Sequence, residues 1–343
     1  MHMKFLVGRS NLACTIFVPF DCDNNCPFCT SKKMYKEMAN KYDTEAIIGL
    51  INGLNSNFSI KEYVLTGGEP FANLEVTKRL IDSMKKRCFI NTTLPMVDNI
   101  DEVIEYINSC GKIHGINISR HIGFDFKGVA NIDVINRIKK PIRINTVINK
   151  NFSFDKFKEF VEKWGSDKRL INLRADYTKL DATSLKARDE IETLLATEYM
   201  FNGAGGCLVC HSSTFIADNC NIQYHRGLMF SSVKMGEKTY INDVIVTPDG
   251  KMYKDWDMKE DKEFNSWILK TPNIKPTEVM VDVDWNGDGN VKSYFYNISS
   301  INRVSLTDDR NKSVKIDNSD VLDEVITDLK KTLKENLVRI YTN

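Results

Sequence analysis

Between residues 12 and about 198, short runs rich in β-branched and aromatic residues alternate with stretches whose apolar residues recur every three or four positions. The runs are Leu12–Phe20, Glu62–Thr66, Cys88–Thr92, His114–Ser119, Ile142–Ile148 and Leu170–Arg174. The stretches between and after them lie at roughly 44–54, 74–87, 99–110, 130–139, 153–164 and 184–198. Period two followed by period 3.6, six times over, predicts strand then helix in every unit. Such a chain builds a parallel sheet wrapped by helices, an α/β fold with the form of a partial (β/α)6 barrel. Functional groups in this architecture gather at the carboxyl ends of the strands.

The pattern changes after residue 199. Asn202-Gly203-Ala204-Gly205-Gly206 is a break, and Tyr240–Thr247 joined by Pro248-Asp249-Gly250 to Lys251–Tyr253 reads as a hairpin. Two domains are expected, 1–198 as the core and 199–343 as a β-rich C-terminal appendage. The latter ends in a terminal helix at about 319–337, where Val321, Val325, Ile326, Leu329, Leu333 and Leu337 share a face. Asp284-x-Asn286-x-Asp288-Gly289 has the opening of a calcium loop, but position twelve is Phe295, so a polar turn is the better account.

Lysine plus arginine (47) and aspartate plus glutamate (46) nearly cancel, which leaves no global field for a phosphate backbone or anionic lipid. No nucleic-acid or membrane partner is expected. There is no signal-peptide pattern and no apolar run of membrane-spanning length, so the chain reads as cytoplasmic. Nine cysteines, an odd number, argue for metal sites and buried thiols over a disulfide framework. Cys14, Cys88 and Cys110 stand alone in apolar stretches and read as core thiols.

Cys22, Cys26 and Cys29 are bunched directly after the first strand, so three thiolates converge at the mouth of the sheet. Three thiolates serve an iron–sulfur cubane with one iron left open, or zinc with a fourth ligand from elsewhere. The next histidine along the chain is His114, which disfavours a local zinc knot. An open iron binds a cofactor or substrate, whereas a four-cysteine cluster only passes electrons. Thr66-Gly67-Gly68-Glu69-Pro70 follows the second strand, where paired glycines let the backbone approach a ligand closely.

Cys-x3-Cys-x2-Cys, with Phe28 before its last cysteine and Gly-Gly-Glu-Pro one βα unit later, resembles the signature of the radical S-adenosylmethionine superfamily. The resemblance implies a [4Fe-4S] cluster on Cys22, Cys26 and Cys29, with S-adenosylmethionine chelating the open iron. It implies a cofactor cradle at Thr66, Gly67, Gly68 and Glu69. Ser119 and Asn145, on the fourth and fifth strands, would contact the adenosyl group, with Asn91 and Phe28 nearby. A low-potential electron donor of flavodoxin or ferredoxin type is the implied partner. The overall layout is similar to that of the molybdenum-cofactor cyclase group and other members with auxiliary clusters.

Cys207-x2-Cys210-x9-Cys220 is a second group. It is expected to hold a second iron–sulfur cluster, with zinc completed by His211 or His225, or free thiols, as the alternatives. Arg174, Asp176 and Tyr177, after the sixth strand, are the candidates for substrate binding or proton and hydrogen transfer. The expected activity is radical hydrogen abstraction from a small-molecule substrate, a nucleotide derivative being one such molecule. Modification of a peptide side chain is the alternative, disfavoured by the short segment ahead of Cys22. A non-catalytic metal-stabilised module is a third reading, which the glycine motif opposes.

Overall fold

In the computed structural model, the described residues are 5–7, 12–175 apart from 25, 59, 125, 150 and 151, then 182–204, 212–225 and 231–270 apart from 236. Residue 330 and strands at 278–283, 292–297, 304–307, 313–316 and 337–342 are described as well.

All six expected strands are present: β1 (Leu12–Phe17), β2 (Ile60–Thr66), β3 (Cys88–Thr92), β4 (Ile113–Ser119), β5 (Ile142–Ile148) and β6 (Arg169–Ala175). They pair in sequence order, each parallel to the next. A short helix, α1 (Lys32–Met38), follows the cysteine triad and has no counterpart among the sequence expectations. The expected helices lie between and after the strands: α2 (Thr44–Asn57), α3 (Leu74–Ser83), α4 (Ile100–Ser109), α5 (Ile132–Asn136), α6 (Phe154–Trp164) and α7 (Ala182–Glu198). Side-chain oxygens of Asp43, Asn73, Asn131 and Ser153 accept backbone N–H groups at the starts of α2, α3, α5 and α6. These N-caps stop the orphan donors of the first turn from opposing the helix.

Alternate strand residues face the helices. Ile90, Ile116, Ile118, Ile144, Ile171 and Leu173 are fully buried beneath Ile47, Ile51, Leu54, Leu80, Ile104, Ile107 and Phe157. Each such side chain contributes roughly 1.5–3 kcal/mol by leaving water, so this layer fixes the register of the sheet and leaves its other face to polar residues.

The segments after residue 199 extend this same sheet. Strands β7 (Met200–Ala204), β8 (Ser212–Ile216), β9 (Asn221–His225), β10 (Asp243–Val246) and β11 (Met252–Tyr253) give the order β11-β10-β1-β2-β3-β4-β5-β6-β9-β8-β7. β10 lies parallel to β1 and β9 parallel to β6. The expected hairpin is present as the antiparallel pair β10–β11, with Gly250 at φ +69° in its turn. Of the expected terminal helix, Lys330 is helical, and the other residues before Leu337 lie outside the described residues. At its end Leu337 opens a strand, Leu337–Thr342, that pairs antiparallel with Glu278–Val283. Backbone pairing with a distant strand overrides the helical spacing at that residue.

Candidate active site

The chain leaves β1 at Phe17 and runs through the triad before α1 begins. Cys22, Cys26 and Cys29 line one cavity of about 410 Å³ at the carboxyl end of β1–β4, a volume in the range of a small-ligand site. All three are free thiols. Burial pushes the Cys26 thiol up to about 12, with the neighbouring Cys29 and Cys22 thiols adding to it. Burial also raises Cys22, against the pull of the Asn24 N–H, which reaches Cys22 Sγ at 3.4 Å. Crowded thiols that resist ionisation alone are stabilised as thiolates once a cationic centre binds them.

Thr66, Gly67, Gly68 and Glu69 line the same cavity. Gly67 has φ +107°, which side-chain-bearing residues rarely adopt. A Cβ on Gly68 would lie 2.0 Å from the Phe20 carbonyl oxygen and 2.8 Å from Asp21 backbone atoms. The glycine turn and the cysteine loop therefore touch backbone to backbone, and only glycine permits the contact. Tyr35 of α1 donates to the Val18 carbonyl at 2.8 Å. It packs with Phe17, Met34, Ile245 and Tyr253, fixing the helix that follows the triad.

Glu69 is buried and fully engaged. Its Oε1 accepts from Phe71 N–H at 3.1 Å and the Thr92 hydroxyl at 2.5 Å, and Oε2 accepts from Thr93 N–H at 2.7 Å and the Thr93 hydroxyl at 2.6 Å. Burial raises its carboxyl above the usual range in spite of these four donors. The carboxylate thereby ties the glycine turn to the end of β3, where buried Leu94 is held at φ 50°. Thr93 in turn contacts Asn24 Nδ2 at 3.4 Å, which closes a path from Glu69 to the cysteine loop. Arg120 braces the same region from below, donating to the carbonyls of Thr93, Ser119 and Ala130 at 2.7–2.8 Å.

Of the expected cofactor residues, Phe28, Asn91 and Ser119 also line the cavity. Phe28 stacks edge-on against His121, with ring centroids 4.5 Å apart. His121 accepts from Val147 N–H through Nδ1, and burial beside Arg120 drops its pKa to about 3, which keeps the ring neutral. Asn145 is not among the lining residues of this cavity; its Oδ1 accepts from Asn172 Nδ2 at 2.7 Å. Arg174 stands at the end of β6, opposite His225 of β9, whereas Asp176 and Tyr177 lie outside the described residues.

Cys207, Cys210 and His211 also lie outside the described residues. Cys220 is buried in the hydrophobic core just before β9, beside Arg169 at the amino end of β6, and its thiol is pushed up to about 11. A Cβ on Gly165 would approach its Sγ to 2.6 Å. The structure thus places Cys220 at the end of the sheet opposite the first triad.

Thr93, Asn24, Tyr35 and His121 belong to the site and were not singled out by sequence. A further signal was present but unread. Ile90-Asn91, Ile116-Asn117, Ile144-Asn145 and Ile171-Asn172 repeat one dipeptide on four successive strands, and asparagine is a poor strand former.

The donor set fits a multinuclear cluster: three soft thiolates on one cavity, with a glycine turn pressed against their loop. Among the described residues, no three His, Cys, Asp or Glu side chains close on a single ion-sized point. No helix among them is long and apolar enough to cross a membrane.

Residues 16–166 match the family model of the Radical SAM superfamily, whose members use a [4Fe-4S] cluster and S-adenosylmethionine. No curated protein matches the chain. Among solved structures, Streptococcus suis SuiB bound to precursor peptide SuiA is 17% identical, with 70% of this chain and 58% of that chain covered at a TM-score of 0.48. SuiB bound to S-adenosylmethionine is 17% identical, covers 72% and 59%, and scores 0.47. A histidine-tagged anSMEcpe with bound AdoMet is 14% identical, covers 55% and 60%, and scores 0.39. The chain therefore spans about three fifths of the length of the structures it resembles.

Proposed function

From the premise that residues 16–166 are a radical S-adenosylmethionine domain, we propose that this chain cleaves S-adenosylmethionine reductively and removes hydrogen from a small polar substrate. The observation that carries the proposal is the backbone contact between Gly68 and Phe20–Asp21, which joins the cofactor turn to the three-cysteine loop. Cys22, Cys26 and Cys29 would hold the [4Fe-4S] cluster. Its chemistry, with S-adenosylmethionine on the open iron and one electron from a flavodoxin- or ferredoxin-type donor, is production of a 5′-deoxyadenosyl radical.

The protein's own residues aim and enclose that chemistry. Thr66–Gly68 would present backbone polar groups to the methionyl end of the cofactor, and Asn91 and Ser119 would hold the adenosyl end. Glu69 keeps the turn rigid through its four internal hydrogen bonds. Phe28, His121 and Phe126 supply an aromatic wall that excludes water from a reactive intermediate. The small-molecule reading rests on the layout of the chain, with the cofactor motifs first and the second cysteine group after them. The second iron–sulfur cluster now depends on Cys207 and Cys210 together with a core-buried Cys220.

The test is anaerobic iron and sulfide analysis with a dithionite-dependent assay for 5′-deoxyadenosine. About four irons lost in Cys26→Ala, with product formation lost too, is the expected result. A reduced, cluster-loaded protein that yields no 5′-deoxyadenosine would sink the proposal. The Cys207→Ala/Cys210→Ala/Cys220→Ala variant tests the second cluster: a fall of about four further irons supports it, and an unchanged iron count removes it.

A further inference from the structure

A second cavity, of about 530 Å³, lies between helix α6 and the segment that follows β4, and its volume is again that of a small-ligand site. It shares His121 and Phe126 with the cavity of the cysteine triad. Lys156, Glu159, Phe160 and Lys163 recur at three- and four-residue intervals on α6, so one stripe of the helix faces the cavity. Aromatic rings furnish much of the lining. Phe124 and Phe126 meet edge to face with centroids 5.1 Å apart, and Phe160 and Trp164 lie 6.4 Å apart. Two ring pairs around one cavity favour a flat ring, because ring-on-ring packing stabilises beyond the area it buries.

The charges around these rings are unbalanced. Arg120 is 4% exposed and donates to the carbonyl oxygens of Thr93, Ser119 and Ala130. Carbonyl oxygens satisfy its N–H groups without cancelling its charge, and no carboxylate among the described residues forms an ion pair with it. Its guanidinium lies 5.3 Å from the centroid of the Trp164 ring, and Lys163 Nζ lies 5.3 Å from the same centroid. Two cations thus share one indole. Among the described residues that line the cavity, Glu159 is the one carboxylate against Arg120, Lys156 and Lys163. A buried guanidinium without a counter-charge is costly, and an anion placed beside Trp164 offsets both cations that flank it. Lys163 is exposed, so its ammonium is able to turn from the ring to such an anion.

We infer that this cavity binds a small planar aromatic anion, an aryl carboxylate being the simplest such molecule. The ring packs among Phe124, Phe126 and Trp164, and the carboxylate takes its hydrogen bond from the Lys163 ammonium in the field of Arg120. The site is separate from the cofactor cavity and meets it at the wall made by His121 and Phe126. It goes beyond the proposed radical chemistry and does not depend on it, since none of its binding groups holds the cluster or the cofactor.

Anaerobic isothermal titration of the cluster-loaded protein tests it with probes of one shape and three charges: 2-naphthoate, 2-naphthamide and 2-naphthylmethylammonium. Naphthoate should bind saturably, about tenfold tighter than the amide, with the cation weakest. Lys163→Gln should weaken naphthoate about tenfold and leave the amide unchanged. Glu159→Gln, which removes the opposing charge, should tighten naphthoate about threefold. Both side chains are exposed on α6, so the variants keep the fold, and S-adenosylmethionine affinity at the wild-type value checks that they do. Equal binding of the three probes, tightest binding of the cation, or naphthoate affinity indifferent to Lys163→Gln overturns the assignment. So does the absence of any probe binding in a sample that still binds S-adenosylmethionine and forms 5′-deoxyadenosine, a result that leaves the proposed activity standing.

Discussion

Replacing Glu69 by glutamine separates a residue that holds the turn from one that holds the cofactor. The carboxylate accepts four hydrogen bonds, two at each oxygen. A glutamine of the same shape keeps one acceptor oxygen and turns the other into an N–H2 donor. The Thr92 and Thr93 hydroxyls rotate to accept from it, but the backbone N–H groups of Phe71 and Thr93 are fixed donors. Whichever way the amide is turned, one of those N–H groups is left facing another donor in a buried site. The unsatisfied group costs about 1–3 kcal/mol, and the surviving bonds weaken as their acceptor loses its charge. Arg120, whose burial Glu69 partly offsets electrostatically, also loses that offset. A destabilisation of about 2–4 kcal/mol follows, read as a lower urea midpoint at unchanged slope. Iron content and S-adenosylmethionine affinity should fall with it, through Thr93 and Asn24 to the cysteine loop. A variant as stable as wild type that has lost S-adenosylmethionine affinity would refute this, since the carboxylate would then serve the ligand directly.

Two further substitutions probe the frame. Gly68→Ala should keep the secondary structure by circular dichroism and lose more than about half of the bound iron. Its Cβ meets fixed backbone at Phe20 and Asp21 and must push the loop ahead of Cys22 outward; wild-type iron content would show that the contact is not needed. Asp243 is buried at the start of β10, accepts the Thr15 hydroxyl at 2.8 Å, and has its carboxyl pushed from 3.8 up to about 7 by burial. Below pH 3.8 the folded and unfolded chains both hold this proton. Between 3.8 and about 7 the folded chain binds it more tightly, so this group's contribution to stability falls with rising pH, by roughly 4 kcal/mol over the window. Asp243→Asn should flatten that slope in urea titrations from about pH 4.5 to about pH 7.5. Parallel slopes for the two proteins would contradict the shift.

The six parallel strands and their helices were legible because burial on one face imposes a pattern that the chain cannot hide. Ile90, Ile116, Ile144 and Ile171 fall where the sheet must be dry. The cysteine triad and glycine turn were legible because each needs residue types that few other roles demand. The polar face was not, since Asn91, Asn117, Asn145 and Asn172 read singly as strand interruptions. Only the register of β3–β6 shows that they meet. Helix α1 was missed because it is seven residues long, buries only Met34 and Tyr35, and has no side-chain cap at Ser31. The end of the chain misled for a different reason. Leu337 fits a helical stripe locally, and its strand partner is far away in sequence, in Glu278–Val283, beyond what periodicity reports.

What lies beyond residue 199 was expected as an appendage, yet its strands join the site from both edges of the sheet. On one side β10 runs parallel to β1, and Ile245 and Tyr253 pack against Phe17 and Tyr35, the residues that hold α1 and abut Gly67. On the other side β9 runs parallel to β6 and delivers His225 beside Arg174. The first contact steadies the loop that carries the thiols, and the second sets His225 in register with Arg174. Both edges of the six-strand parallel sheet are therefore covered by strands from the C-terminal half. Exchange of the β9 segment between related chains should leave the iron content of the triad at β1 unchanged, because five parallel strands, β2–β6, and their buried isoleucines separate the two.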